Sequence, residues 1–226
     1  MGKFDRNELL LGKEINNELV NKVVLIAGLG GVGGYACEAI VRLGVKKIIL
    51  VDFDKVDETN INRQIIATTR TIGQYKVNLF EERAKEINPE IEILKYNTLI
   101  DDKHLDFFEN RIDYIIDAID DVDAKILLMK KSTEKGIPMV SSMGMAKRID
   151  STKVRIIKLS KTKDDKMAKK IRYLARKEGL DLNKITAVYS EEIPEEELIK
   201  PLPSIVTVPA AAGLACVTCF IKEFQK

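Results

Sequence analysis

An unbroken apolar run at residues 23–27 lies between Lys22 and a cluster of glycines. Without polar alternation, such a run predicts a strand buried on both faces of a parallel sheet. Over 32–43, apolar and small residues return at helical spacing, and Gly44 stands where a C-cap glycine belongs. A second apolar run, 47–52, completes a βαβ unit whose connection is expected to be right-handed. Residues 74–88 repeat the helical spacing through Val77, Leu79, Phe80, Ala84 and Ile87 and stop at Pro89, where a helix cannot easily continue. Ile91, Ile93 and Tyr96 predict a third strand, 114–117 a fourth, 124–135 a helix and 138–142 a fifth strand. Alternation of this kind up to about residue 145 predicts an α/β fold, a Rossmann-like, doubly wound, mainly parallel sheet. Past Gly144 the pattern changes to a strand at 154–159, a basic helix at 164–179 and a short strand at 187–190. These predict a C-terminal α+β extension with the look of an appendage. The acidic stretch 191–203 holds three prolines and reads as an exposed crossover loop, and the charge-free stretch 205–221 as a buried helix. The expectation is one continuous domain over 1–226, with a nucleotide-binding core at 1–145 and a substrate-facing extension at 146–226.

Composition narrows the class. Of 226 residues, 45% are apolar and 32% charged, which excludes a disordered chain. Lys and Arg number 37 against 35 Asp and Glu, so the molecule is no polycation and DNA is not an expected partner. Contact with another nucleic acid has to come from local clustering, and residues 158–178 hold nine basic side chains and three acidic ones. The first eleven residues lack the apolar centre of a secretory signal, and Cys37, Cys216 and Cys219 are too few for a disulfide framework. Both point to the cytoplasm. Pro209 and Gly213 interrupt the apolar stretch 205–221, about a turn short of a span, so a buried helix is expected in place of membrane contact. Cys216 and Cys219 lie one turn apart in it with no second pair, and read as core residues rather than zinc ligands.

Gly28-Leu29-Gly30-Gly31-Val32-Gly33 sits between a strand and a helix, where backbone N–H groups and the helix N-terminus can meet a phosphate. By itself this pattern says only nucleotide. Asp52 ends the second strand, where an acidic side chain can hold ribose hydroxyls. Up to here an NAD(P)-dependent oxidoreductase would look the same. What separates the readings is Asp52-Phe53-Asp54, Asn60, Asn62-Arg63-Gln64, Gly73-Gln74-Tyr75-Lys76 and Asp117-Ala118-Ile119-Asp120. On these motifs residues 4 to about 145 resemble the ATP-dependent adenylating family of ubiquitin-activating enzymes and ThiF/MoeB-type activators of sulfur-carrier proteins. The resemblance implies ATP and Mg²⁺, with Asn60, Arg63 and Lys76 on the triphosphate, Asp52 on the ribose and Asp120 on the metal. Gly28, Gly30, Gly31, Gly33, Asp54 and Gln64 complete the implied nucleotide site. A homodimer is also implied, in which Arg6 of Arg6-Asn7-Glu8-Leu9-Leu10-Leu11-Gly12 is lent across the interface to the partner's ATP. The chemistry agrees with these residue types. Attack on an α-phosphate builds negative charge that arginine, lysine and a metal stabilise. The attacking carboxylate is ionised at neutral pH and needs no base. His104, the sole histidine, is accordingly expected on the surface.

The segments 6–12, 60–64, 154–159 with the lysine-rich helix after it, 188–191 and 208–213 extend the resemblance over nearly the whole chain. Together they resemble the tRNA threonylcarbamoyladenosine dehydratases. That resemblance implies ATP-dependent cyclisation of the modified adenosine beside the anticodon, through adenylation of its threonyl carboxylate, with release of AMP and pyrophosphate. It makes tRNA the partner, with Lys169, Lys170 and Arg172 on its backbone. Adenylation of the C-terminal glycine of a ubiquitin-like sulfur carrier is the alternative. Family members of that kind often carry a paired CxxC zinc site that this chain lacks.

Overall fold

The computed structural model describes residues 2–194 and 202–225. Strands β1 (Val23–Ala27), β2 (Lys47–Val51), β3 (Glu92–Tyr96), β4 (Tyr114–Asp117), β5 (Met139–Ser142), β6 (Val154–Lys158) and β7 (Thr186–Ser190) make one sheet in the order β3-β2-β1-β4-β5-β7-β6. Every neighbouring pair is parallel except β6 with β7. All five residues of β1 are buried, as its uninterrupted apolar run requires of a strand covered on both faces. Alternate side chains divide between two cores. Val24 and Ile26 pack with Ala36, Cys37 and Ile40 of α3 (Gly33–Arg42), Phe80 of α4 (Lys76–Ile87) and Phe220 of α7 (Thr207–Glu223). Val23, Leu25 and Ala27 pack in the opposite core with Leu128 and Met129 of α5 (Val122–Lys135) and Ile171 of α6 (Lys166–Lys177).

Two features differ from the pattern-based expectation. Helices α1 (Asp5–Leu11) and α2 (Lys13–Val20) precede β1, where no element was expected. Helix α1 buries none of its residues, so its sequence carries no amphipathic signal against this chain. Second, the extension is built into the sheet and does not hang from it: β7 inserts beside β5, pairing Val140 with Thr186 in parallel register, and carries β6 on its outer edge. Helix α7 then returns across the sheet to pack on α3. At their crossing a Cβ on Gly213 would stand 2.4 Å from the Val32 carbonyl oxygen, so only glycine permits this approach. Cys37, Cys216 and Cys219 are core residues. Of the expected loop at 191–203, residues 195–201 lie outside the described residues. No helix among the described residues is long and apolar enough to cross a membrane.

Candidate nucleotide site

Between β1 and β4 the strand order reverses, and the loops that follow these two strands line a cleft at their C-terminal ends. The turn after β1 is held close to the loop after β4. Gly28 has a φ of +83°, and a Cβ there would lie 2.8 Å from the Ala118 carbonyl oxygen. Gly33 is packed harder still, its Cβ position falling 1.8 Å from the Gly28 carbonyl oxygen. It therefore shapes the turn from behind and does not line the cleft. Gly28, Gly30, Gly31, Asp52, Asp54, Asn60, Arg63, Gln64, Lys76 and Asp120 all line this one space of about 790 Å³. Nucleotide-site residues read separately along 93 positions of sequence thus converge.

Each polar wall has a structural origin. The Asp52 carboxylate at the end of β2 accepts from the backbone N–H of Leu29 at 2.6 Å and of Asp54 at 2.8 Å, tying the glycine turn to the second strand. Burial raises its pKa against the opposing pull of Lys76 and those two N–H donors. Lys76 opens α4 and is only 3% exposed, with its ammonium 2.7 Å from Asp54. A buried cation at a helix N-terminus is unfavourable for the helix dipole, and Asp54 compensates it. Asn60 accepts from the Asp57 N–H through Oδ1, and among the described residues its Nδ2 donors have no recorded partner. Arg63 rests on the Thr59 carbonyl at 2.8 Å and on Asn62 at 2.9 Å, with no carboxylate partner among the described residues. Gln64 is buried, and its Oε1 has no hydrogen-bond partner among the described residues. An orphaned buried acceptor costs ~1–3 kcal/mol. A hydroxyl or amino donor from a bound molecule would remove that cost.

Asp117, which ends β4, and Asp120 and Asp121 in the turn after it divide their work. Asp121 caps α5 by accepting from the Ala124 N–H at 2.8 Å. Asp117 is fully buried and takes both its oxygens to Lys125, each at 3.0 Å, with Ser141 Oγ at 2.5 Å. Asp120 is exposed at the cleft and, among the described residues, its carboxylate has no side-chain or backbone partner. Magnesium at nucleotide sites is held by one or two carboxylates together with the phosphates, so one free aspartate suits it. No cluster of three or more acidic, histidine or cysteine side chains that would cage a metal by itself occurs among the described residues.

Several residues of the site carry no sequence signal. Lys125 looks like an ordinary helix lysine, yet it is fully buried and also donates to the Ser142 carbonyl at 2.7 Å, joining β4, β5 and α5 behind the cleft. Arg148, 5% exposed, donates to the Gly144 carbonyl at 2.5 Å and to Asp165 at 2.9 Å, which in turn caps α6. That pair fixes the helix to the loop 143–146 that walls the cleft. Phe53 and Leu99, each about half exposed, form an apolar wall suited to a flat heterocycle. Pro209 of α7 closes over Gly31, 3.1 Å from where its Cβ would be.

Other expected site residues lie apart. Arg6 is exposed on α1 and does not line the cleft of its own chain. Lys169 and Lys170 are exposed on α6, whereas Arg172 turns inward to donate to the buried Thr162. Arg172 is therefore occupied within the fold and does not share the free cationic face. His104 is on the surface, paired with Asp101 at 2.7 Å.

Comparison with known proteins agrees with this geometry. Residues 4–222 match the ThiF family. The chain is 44% identical over 193 residues to a tRNA threonylcarbamoyladenosine dehydratase of Bacillus subtilis, covering 85% of this chain and 76% of that one. It is 34% identical over 200 residues to tRNA threonylcarbamoyladenosine dehydratase 2 of Saccharomyces cerevisiae, covering 87% of this chain but only 44% of the yeast protein. Among solved structures, E. coli tRNA N6-threonylcarbamoyladenosine dehydratase in complex with ATP superposes with a TM-score of 0.91 at 30% identity, over 99% of this chain and 93% of that one. With a glycine turn, a polar cleft at the strand reversal and a family match across almost its entire length, the chain belongs to the ThiF family.

Proposed function

We propose that this chain is an ATP-dependent tRNA threonylcarbamoyladenosine dehydratase, acting as a cytoplasmic homodimer. The observation that carries the reading is the convergence of Arg63, Lys76, Asn60, Gln64 and Asp120 on the cleft above the glycine turn. The base lies against Phe53 and Leu99, Asp52 accepts from the ribose, and the phosphates run over Gly30 and Gly31 toward the cations. Asp120 would hold Mg²⁺, which when bound neutralises charge on the phosphates. The threonyl carboxylate of the modified adenosine attacks the α-phosphate, and pyrophosphate leaves. Arg63 and Lys76 stabilise the charge that grows on the phosphate oxygens, Lys76 being released from Asp54 to do so. Preorganised charges of this kind are typically worth ~3 kcal/mol each. The carbamoyl group then closes on the acyl carbon, releases a proton and expels AMP with one carboxylate oxygen. The nucleoside has lost the elements of water and no covalent enzyme intermediate is needed. Positioning both groups in one substrate supplies much of the second step.

Incubating the chain with ATP, Mg²⁺ and tRNA carrying threonylcarbamoyladenosine, then weighing the nucleosides, tests this. The expected result is loss of one water from that nucleoside with AMP formed in equal amount. An unchanged nucleoside, with pyrophosphate exchange provoked instead by a carrier protein ending in two glycines, would overturn it.

A further inference from the structure

Helix α6 presents to solvent a face built from Lys166, Lys169, Lys170, Arg176 and Lys177, with one aromatic side chain, Tyr173, at its centre. Taking 100° per residue, these six positions fall within a sector opposite Ala168, Ile171 and Ala175, the buried positions of the helix. None of the five cations has an ion-pair partner among the described residues. Elsewhere on the surface Lys47, Arg83, Lys95 and Lys130 are paired with carboxylates. Like charges at i and i+4, as at Lys166 and Lys170, weaken a helix, and a lysine in the first turn opposes its dipole. Lys166, Lys169 and Lys170 therefore repel one another in the first half of the helix, with no ion pair among the described residues to offset the repulsion. A polyanion would relieve it.

Tyr173 separates two kinds of polyanion. The residue is 56% exposed, which a purely electrostatic surface does not call for. The ammonium of Lys177 lies 4.6 Å from the ring centroid, holding one face of the ring and leaving the other for a stacking partner. The helix is also aimed from the active cleft. Met167, in its first turn, lines the cleft, and Arg148 locks the Asp165 cap to the loop 143–146. Tyr173 lies six residues beyond Met167, roughly 9 Å along the helix axis.

We infer that Tyr173 is a stacking platform for an unpaired base of the RNA strand whose modified adenosine enters the cleft, with the surrounding cations of α6 following that strand's phosphates. This rests on the proposed tRNA reaction and adds to it a base contact that charge alone does not supply. Stacking on an exposed aromatic is how proteins hold single-stranded RNA bases, in sequence-tolerant fashion.

The test uses an anticodon stem-loop with 2-aminopurine placed in turn at the loop positions flanking the modified adenosine, bound to the full chain. With the wild-type chain, fluorescence at one position is expected to be quenched on binding. Tyr173→Phe should keep both the quench and the affinity, and Tyr173→Ala should lose the quench and weaken binding roughly tenfold, with the salt slope unchanged. Lys177→Gln should instead lower that slope by about one. Tyr173 is exposed, so its variants are expected to fold, and thermal unfolding checks this. If the wild-type chain dehydrates tRNA but Tyr173→Ala binds and quenches as before, the stacking inference fails while the proposed reaction stands. If the wild-type chain neither binds nor dehydrates tRNA, both fail.

Discussion

Lys76 and Asp54 form an ion pair at the cleft in which the cation is buried and the anion half exposed. That asymmetry leaves the ammonium ready to exchange a carboxylate for a phosphate. Removing Lys76, Arg63 or Asp120 as alanine is expected to lower ATP consumption about a hundredfold or more, while urea unfolding of the Arg63→Ala and Asp120→Ala proteins stays near wild type. Turnover near normal in any of the three removes that residue from the mechanism. Asp52 predicts a pH dependence. Burial raises its pKa, and a ribose hydroxyl donates better to the ionised form, so nucleoside binding favours loss of the proton. Affinity should therefore fall as pH drops through the raised value and level off above it. Adenosine, free of phosphate titration, is the ligand to use. Calorimetry of Asp52→Asn should show weaker binding with that dependence gone. Asp52 and the glycines were legible because their spacing after buried strands has a physical cause. Lys125 and Arg148 were not, since a lone charge in a helix or loop looks the same whether it meets water or a buried carboxylate.

At the scale of elements, the crossing of α7 and α3 bears directly on the site. Gly213 brings α7 against the Val32 carbonyl, and this places Pro209 over the glycine turn. Gly213→Ala is expected to push the helices apart, destabilising the protein by ~1–3 kcal/mol and weakening nucleotide binding together with it. Chemical unfolding followed by ATP titration would measure both, and wild-type behaviour in both would show that the approach is not needed. The buried pair behind the cleft predicts a non-additive result. Lys125→Met strands the Asp117 carboxylate and should cost ~3–5 kcal/mol, whereas the double change with Asp117→Asn should cost less than the single one. The helices of the sheet layers could be read from periodicity because each buries a stripe. Helices α1 and α2 escaped that reading. Leu9 and Leu10 of α1 are 74% and 84% exposed, so they report no core within this chain.

For the whole molecule, the place of Arg6 outside its own cleft makes the proposed dimer testable. If each subunit completes the other's site, Arg6→Ala and Lys76→Ala proteins, inactive separately, should recover roughly a quarter of wild-type ATP consumption when their subunits are mixed and exchanged, since one site in half-statistical heterodimers is whole. No recovery after proven exchange would confine the site to one subunit. The sequence by itself determined the parallel α/β core, the phosphate turn and the polar set at 52–76, because strand burial, helix period and turn chemistry are local demands written in adjacent residues. Only the tertiary structure decided that β7 enters the sheet beside β5, that Pro209 of α7 closes over the glycine turn, and that Asp120, of the aspartates at 117, 120 and 121, stays free at the cleft. Those outcomes depend on pairings between residues far apart in the chain, where a carboxylate's role is set by whichever cation or N–H reaches it first.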